Sequence, residues 1–447
     1  MADAAAMLTG WGRTAPTRAQ VGCPASVTDV MAAVASAGPR GVLARGMGRS
    51  YGDAAQNAGG LVLTLRRLDA ISPIEAVSGE LTCGAGVSLD ALLRHSVPRG
   101  WFVPVTPGTR QVSLGGAVAA DVHGKNHHSD GSLGRHVTRL ELVDGRGELR
   151  RLTPDDELFW ATVGGMGLTG VITSVTVRMI RIDSAWMAVE TRRTADLDDT
   201  MASLVGGDTV HRYSVAWIDC LARGSGLGRG VVTSGEHLPA AQLEGAAREQ
   251  PLSFAPHTRL TAPPWAPGGL LGRRCVSAFN ELYYRQAPRS AEQATVHLAE
   301  YFHPLDAIAH WNRLYGRPGF VQYQFVTPGA ATVHAVLKLL QHADAPVLLA
   351  VLKRFGPASG APLSFPAPGW TLALDIPARA PGLAAALDAA DRLVLDSGGR
   401  VYLAKDARIA RTVFAAMYPE LDRWRQLRTA ADPHGVFTSD LARRLQL

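Results

Sequence analysis

At 447 residues the chain exceeds what one hydrophobic core usually supports, so two domains are expected. With 47% apolar and 19% charged residues it is an ordinary globular sequence, neither disordered nor fibrous. The formal charge of +6 comes from Lys and Arg scattered among acids, as between Asp144 and Arg150, with no basic run of the kind that binds nucleic acid; it suits an anionic small substrate or an acidic membrane surface equally.

Met1 to Gly10 lacks a basic segment followed by an apolar stretch, and no uncharged apolar window reaches the roughly eighteen residues of a membrane span. A cytoplasmic chain, soluble or peripheral at a membrane, is therefore expected. Cys23, Cys83, Cys220 and Cys275 form no CxxC pair and read as buried thiols.

In chain order, Ser26-Val-Thr-Asp29 is a capping box that opens an Ala/Val/Met helix ending at Gly38-Pro39, and the strand Val42-Leu-Ala follows. Leu61–Leu65 and Leu81–Cys83 predict short strands, and Ser88 caps a helix running to about Arg94. Around Thr153-Pro-Asp-Asp156 a helix is expected with Pro at its first position, carrying Leu158, Phe159 and Trp160 and ending at Gly164-Gly165. Val171–Met179 alternates as a strand. After about Asp183 the texture changes to Gly/Pro-rich loops (Gly224–Gly230, Ala262–Gly269) between aromatic strands such as Tyr213–Trp217 and Phe320–Val326. Helices return at Ile409–Met417 and Glu420–Arg428. The pattern is α+β with two domains.

Ala44 to Asp53 (ARGMGRSYGD) sets three glycines and a serine after a strand, so successive backbone N–H groups can turn toward an anion without Cβ obstruction. A tight glycine turn fits the same residues; Arg45 and Arg49 favour phosphate. Thr106–Ala117 again combines glycines with hydroxyls, and two cradles suit a dinucleotide. Gly165–Gly170 matches GxGxxG, but it follows a helix and precedes a strand, the reverse of the nicotinamide-binding order. Gly124 and Asn126 disfavour the helix that would align His123 with His127, and the acids near His123, His127 and His128, Asp121 and Asp130, fit no standard ligand spacing, so no metal is expected. No GxSxG elbow or HExxH is present to support hydrolase chemistry.

The run ARGMGRSYGDAAQNAGG (Ala44–Gly60), with TPGTRQVSLGGAVAADVHGKNHH (Thr106–His128), ELFWATVGGMGLTG (Glu157–Gly170), GFVQYQFV (Gly319–Val326) and GGRVYLAKDAR (Gly398–Arg408), resembles the polyprenyl-phosphoryl-ribose oxidases among the vanillyl-alcohol-oxidase-like FAD flavoproteins. The likeness spans essentially the whole chain. It implies a PCMH-type FAD-binding domain from residues 1–183 and 400–447, and an inserted substrate domain with an antiparallel sheet from residues 184–399. The implied reaction is FAD-dependent oxidation of the ribose 2-hydroxyl of decaprenylphosphoryl-β-D-ribose to a ketone. An NAD-dependent keto-reductase partner then forms the arabinose epimer for cell-wall arabinan.

By the same resemblance, FAD would be held by Ala44, Arg45, Gly46, Met47, Gly48, Arg49, Ser50 and Tyr51, by Gly108, Thr109, Gly115, Gly116, Ala119, His123 and Gly124, and by Gly167, Gly170, Val171, Tyr402 and Lys405. The substrate would meet Trp217, Tyr284, Gln322, Gln324, Lys353, Phe355 and Ala373. The catalytic candidates are Lys405, His123 and Tyr51; Lys405 would otherwise be a snorkelling surface lysine, and either Lys405 or His123 has the chemistry to take the hydroxyl proton. Gln322 and Gln324 are two apart and share one strand face, as a pocket wall or a polar sheet face would need.

Departures from the family pattern carry expectations too. Ala373 stands where members often have cysteine, so thiol-directed inhibitors find no anchor. Met166 replaces an asparagine and Val215 a serine. Arg49 stands where related alditol oxidases attach FAD through histidine, so non-covalent FAD is expected. The resemblance also carries a periplasmic location as an alternative. Two other functions compete: an alditol or aldose oxidase of soluble sugars using oxygen, and a carrier that binds FAD or a lipid phosphate without turnover.

Overall fold

The computed structural model describes residues 4–264 and 272–447. Most of the expected Ala262–Gly269 loop thus lies outside the described residues. The capping box forms as read: Ser26 Oγ accepts from Asp29 N at 3.1 Å, the Asp29 carboxylate accepts from Ser26 N at 3.1 Å, and the helix Val27–Ala35 follows. Ser88 caps Leu89–Ser96 with one bond, its Oγ accepting from Ala91 N at 3.0 Å.

Thr153–Asp156 differs from expectation. Asp156 Oδ2 accepts from Thr153 N at 2.7 Å and from its hydroxyl at 3.2 Å, which closes a turn and leaves Pro154 outside the helix. The helix starts only at Glu157 and runs to Thr162. A side chain that satisfies the backbone locally competes with helix initiation, and here the turn wins. Among the strands not foreseen are Ala4–Leu8 and Thr17–Gly22, which pair antiparallel without clean alternation, and Val137–Val143 and Leu149–Leu152. Of the cysteines, Cys83 and Cys220 are buried, Cys23 is half-buried and Cys275 is exposed.

Three main sheets organise the chain. The first joins Ala4–Leu8, Thr17–Gly22, Leu61–Thr64 and Val42–Arg45, the last three parallel. The second is antiparallel, built from Glu80–Gly84, Val171–Arg178, Val137–Val143 and Leu149–Leu152. The third has eight strands in the order Glu292–His297, Trp186–Thr194, Gly230–His237, Tyr213–Ile218, Leu349–Phe355, Gly369–Pro377, Phe320–Thr327, Arg400–Val401, each antiparallel to its neighbours.

Alternation sorts this third sheet into two faces. Tyr323, Phe325, Leu352, Leu372 and Leu374 enter one buried cluster with Val333, Leu337, Leu387 and Val394 of the helices Ala330–His342 and Leu383–Asp396. Gln322, Gln324, Lys353, Ala373 and Asp375 occupy the other face and border a cavity. The chain's last segment packs back on the N-terminal part and on the short edge strand of the large sheet. Trp424 Nε1 donates to Ala161 O at 2.9 Å, Tyr418 Oη donates to Val401 O at 2.7 Å, and Val42 N donates to Val436 O at 2.8 Å.

Candidate active site

A cavity of about 310 Å³ lies between the cavity face of the large sheet and the glycine-rich loops. Small-molecule sites run to roughly 300–1,000 Å³, so this space has the volume of a ligand site. At two points the glycine-loop wall has no space for a side chain as packed: a Cβ on Gly46 would lie 1.9 Å from Ser113 Oγ, and Gly48 adopts φ +64° against the Arg45 guanidinium. Gly108 and Gly167 face open space. Backbone stripped of Cβ atoms, with Arg49, Lys353 and Lys405 around it, fits an anionic dinucleotide such as FAD.

The loops carrying Tyr51 and Lys405 are zipped together. Tyr51 N donates to Ala404 O at 2.9 Å, and Gly52 packs so closely that a Cβ there would lie 1.9 Å from Asp406 O. This close approach sets Lys405 Nζ 3.8 Å from the Tyr51 ring centroid. Arg444, on the helix Asp440–Leu445, clamps the pair from outside. It donates to both Asp53 oxygens at 2.9 and 2.8 Å and to Asp406 Oδ2 at 2.8 Å.

On the opposite wall, Thr371 donates its hydroxyl proton to Phe325 O at 2.9 Å, so its oxygen must accept from Gln324 Nε2 at 3.2 Å. That orients the amide, and Gln324 Nε2 also donates to His123 Nε2 at 3.0 Å. The His123 proton therefore sits on Nδ1, which is buried without a protein partner. Burial, reinforced by Lys353, pushes the His123 imidazole well below its usual range and keeps it neutral.

Gln322 Nε2 donates to Asp375 Oδ1 at 2.5 Å and Tyr315 Oη donates to Oδ2 at 3.4 Å. Burial raises the Asp375 carboxyl above its ordinary value and lowers Lys405 below its own. Lys353 is pushed down to about 8 and Lys125 to about 7, both by burial. Tyr51 is driven well above the usual phenol range by burial and the Asp375 charge. Two lysines, a carboxyl group and two neutral proton donors thus converge in one desolvated space.

Of the residues singled out from the sequence, the structure gathers Ala44, Gly46 to Tyr51, Gly108, Thr109, Gly115, Gly116, Ala119, His123, Gly167, Gly170, Gln322, Gln324, Lys353, Ala373, Tyr402 and Lys405 around this cavity. Others stand off it. Arg45 turns away from its neighbour Ala44 on the strand and donates to Ala55 O at 2.6 Å and Thr9 O at 2.8 Å, so it braces the loop instead of facing a phosphate. Val171 is fully buried in the core, and Gly124 packs beneath Asn126 and Thr106. Phe355 lies behind the cavity wall, its ring 4.7 Å from that of His123. Trp217 packs on Tyr283 at 4.9 Å, and Tyr284 sits under Arg229 at 4.5 Å; neither borders the cavity. The GxGxxG segment, unsuited to nicotinamide by its order, nevertheless lends Gly167, Gly170 and Met166 to the wall.

Sequence reasoning missed Asp375, Ser113, Trp11 and Leu349. Asp375 was within reach: it is two residues from Ala373 on a strand and directly opposite Gln322. Among the described residues no three His, Cys, Asp or Glu side chains are grouped to hold a metal ion. No helix among them is long and apolar enough to cross a membrane.

The fold and the glycine-walled cavity define an FAD-binding oxidoreductase of the vanillyl-alcohol-oxidase type. Residues 19–153 match the family described as FAD binding domain, and residues 328–445 the family described as D-arabinono-1,4-lactone oxidase. The chain is 44% identical over 449 aligned residues to the decaprenylphosphoryl-β-D-ribose oxidase of Mycolicibacterium smegmatis, covering 98% of this chain and 97% of that one. An uncharacterised protein of Streptomyces coelicolor is 42% identical over 381 residues, 81% of this chain and 100% of its own. An alditol oxidase of Streptomyces sp. is 28% identical over 172 residues, 38% of this chain and 41% of that one. The chain belongs to the decaprenylphosphoryl-β-D-ribose oxidase family.

Proposed function

We propose that this chain oxidises the ribose 2-hydroxyl of decaprenylphosphoryl-β-D-ribose to the 2-keto sugar, and that an NAD-dependent keto-reductase then completes epimerisation to the arabinose form. Residues 1–183 with 400–447 serve as the cofactor half in this reading, and 184–399 as the substrate half. FAD is held without a covalent bond, since Arg49 occupies the place of an attaching histidine. The observation that carries the proposal is Lys405 over Tyr51, set in one cavity with a sheet face presenting Gln322, Gln324, Lys353 and Asp375.

Bound FAD supplies the hydride acceptor. Lys405 takes the hydroxyl proton, because burial favours its neutral amine and leaves a lone pair free as the C–H bond breaks. The ammonium so formed puts positive charge beside the cofactor site at the moment negative charge gathers there. His123 does not compete for that proton: its Nε2 lone pair is engaged by Gln324, and its Nδ1–H is left to donate to a bound group. Gln322, tied to Asp375, offers its amide oxygen to a sugar hydroxyl. Lys353 offers a cation to the anionic substrate.

Anaerobic titration of the purified, FAD-loaded chain tests this. Polyprenyl-phosphoryl ribose is expected to bleach the flavin absorption band, and free pentitols are expected to leave it unchanged. Bleaching by pentitols alone would make the chain an alditol oxidase, and bleaching by neither a carrier without turnover.

A further inference from the structure

The helix Arg273–Gln286 carries an apolar face that no other described residue covers. Its inner side is fixed: Val276 and Asn280 are buried, Asn280 Nδ2 donates to Asp219 Oδ1 at 2.8 Å, and Arg229 Nη2 donates to Glu281 Oε2 at 2.6 Å. Held that way, the helix turns Phe279, Leu282 and Tyr283 outward at 61%, 58% and 40% exposure. The Phe279 and Tyr283 rings stack at 6.1 Å. Three large apolar side chains together on one helix face are costly in water unless something receives them.

Charge narrows what that is. Arg273, Arg274, Arg285 and Arg289 lie on and just after the helix, against the single acid Glu281. Arg274 and Arg289 are exposed and make no ion pair among the described residues. Aromatic and aliphatic side chains beside arginines match an anionic bilayer surface.

The patch is also continuous with the cavity. In strand register, Gln324 lies opposite Ala373, Ala373 opposite Val351, and Val351 opposite Trp217. Gln324, Ala373 and Val351 border the cavity, and Trp217 carries Tyr283 on its ring at 4.9 Å. A row of side chains on one sheet face therefore runs from the His123 partner out to the exposed helix.

We infer that the Phe279, Leu282 and Tyr283 face of this helix docks the protein on an anionic lipid bilayer, with the outer end of the sugar cavity turned toward the membrane. Docking there lets the phosphoryl sugar enter while its polyprenyl chain stays in the bilayer, a purpose that rests on the proposed lipid-linked substrate; the docking itself does not.

The test is flotation of the FAD-loaded full chain with vesicles of phosphatidylcholine alone and of equal parts phosphatidylcholine and phosphatidylglycerol. The wild type is expected to float with the anionic vesicles. Phe279→Asn with Leu282→Asn is expected to cut binding by about tenfold or more. Arg274→Glu with Arg289→Glu is expected to weaken binding to anionic vesicles only. Both variants should keep the flavin spectrum and the turnover of a short-chain polyprenyl-phosphoryl ribose in detergent. A wild type that does not float, or a double asparagine variant that floats equally well, overturns the inference. So does a wild-type dimer in light scattering that the asparagine variant loses, which makes a second copy the occupant. Vesicle binding without sugar turnover would overturn the proposed function and leave the docking surface standing.

Discussion

Replacing Arg444 by Met tests whether the outer clamp holds the catalytic loops. Arg444 makes three hydrogen bonds to two carboxylates, of which the Asp406 side chain is 3% exposed and that of Asp53 15%. Removing one partner of a buried pair costs roughly 3–5 kcal/mol, because the charge left behind is uncompensated. The Arg444 side chain is itself 26% exposed, which places the loss at the low end, about 3 kcal/mol. Urea unfolding of the FAD-loaded protein measures it. Since the clamp positions Tyr51 and Lys405, FAD fluorescence titration should also show weaker binding, and turnover should fall more than KM rises. Adding Asp406→Asn should recover part of the stability by removing the stranded charge. A stability change under about 0.5 kcal/mol, or lost stability with FAD affinity and turnover intact, would refute the positioning role.

Gly46→Val should abolish FAD retention on gel filtration while the far-ultraviolet circular dichroism stays native, because its side chain takes the space of Ser113 Oγ. Lys405→Met should lower the rate of anaerobic flavin bleaching by about 10²–10⁴; in the parent that rate should rise with pH, as the amine works unprotonated, and in the variant this rise should vanish. His127 and His237 are pushed by burial to about 3 and about 4, so between pH 7.5 and pH 5 the unfolded chain takes up protons that the folded chain refuses. Stability should fall over that window by about 2 kcal/mol for each, and His237→Gln should remove its share of the urea-measured pH dependence. Acid precipitation should leave the yellow colour in the supernatant; colour kept in the pellet would mean covalent FAD.

What could be read from the sequence was local chemistry. Ser26 and Asp29 satisfy each other within one turn, and the glycines of Ala44–Asp53 announce a chain that something approaches closely. Strand pairing is another matter. Asp375 meets Gln322, and Gln324 meets His123, through registers set by distant segments, so neither contact has a signature in its own window. Arg45 and Arg49 look alike in sequence, yet strand alternation sends the first to the carbonyls of Ala55 and Thr9. Trp217, expected at the substrate from the family likeness, stands one strand beyond the cavity wall and packs on Tyr283, a neighbour set by strand order and a distant helix. Thr153–Asp156 carries helix-opening residues whose side chains close a turn first.

Asp53 and Arg444 are 391 residues apart, and Val42 receives its partner from Val436. During synthesis on the ribosome, the glycine loop therefore emerges long before the groups that lock it against Lys405. The clamp on Asp53 and Asp406 therefore forms only once the helix Asp440–Leu445 has been made, which leaves the loop carrying Tyr51 without that brace for most of synthesis.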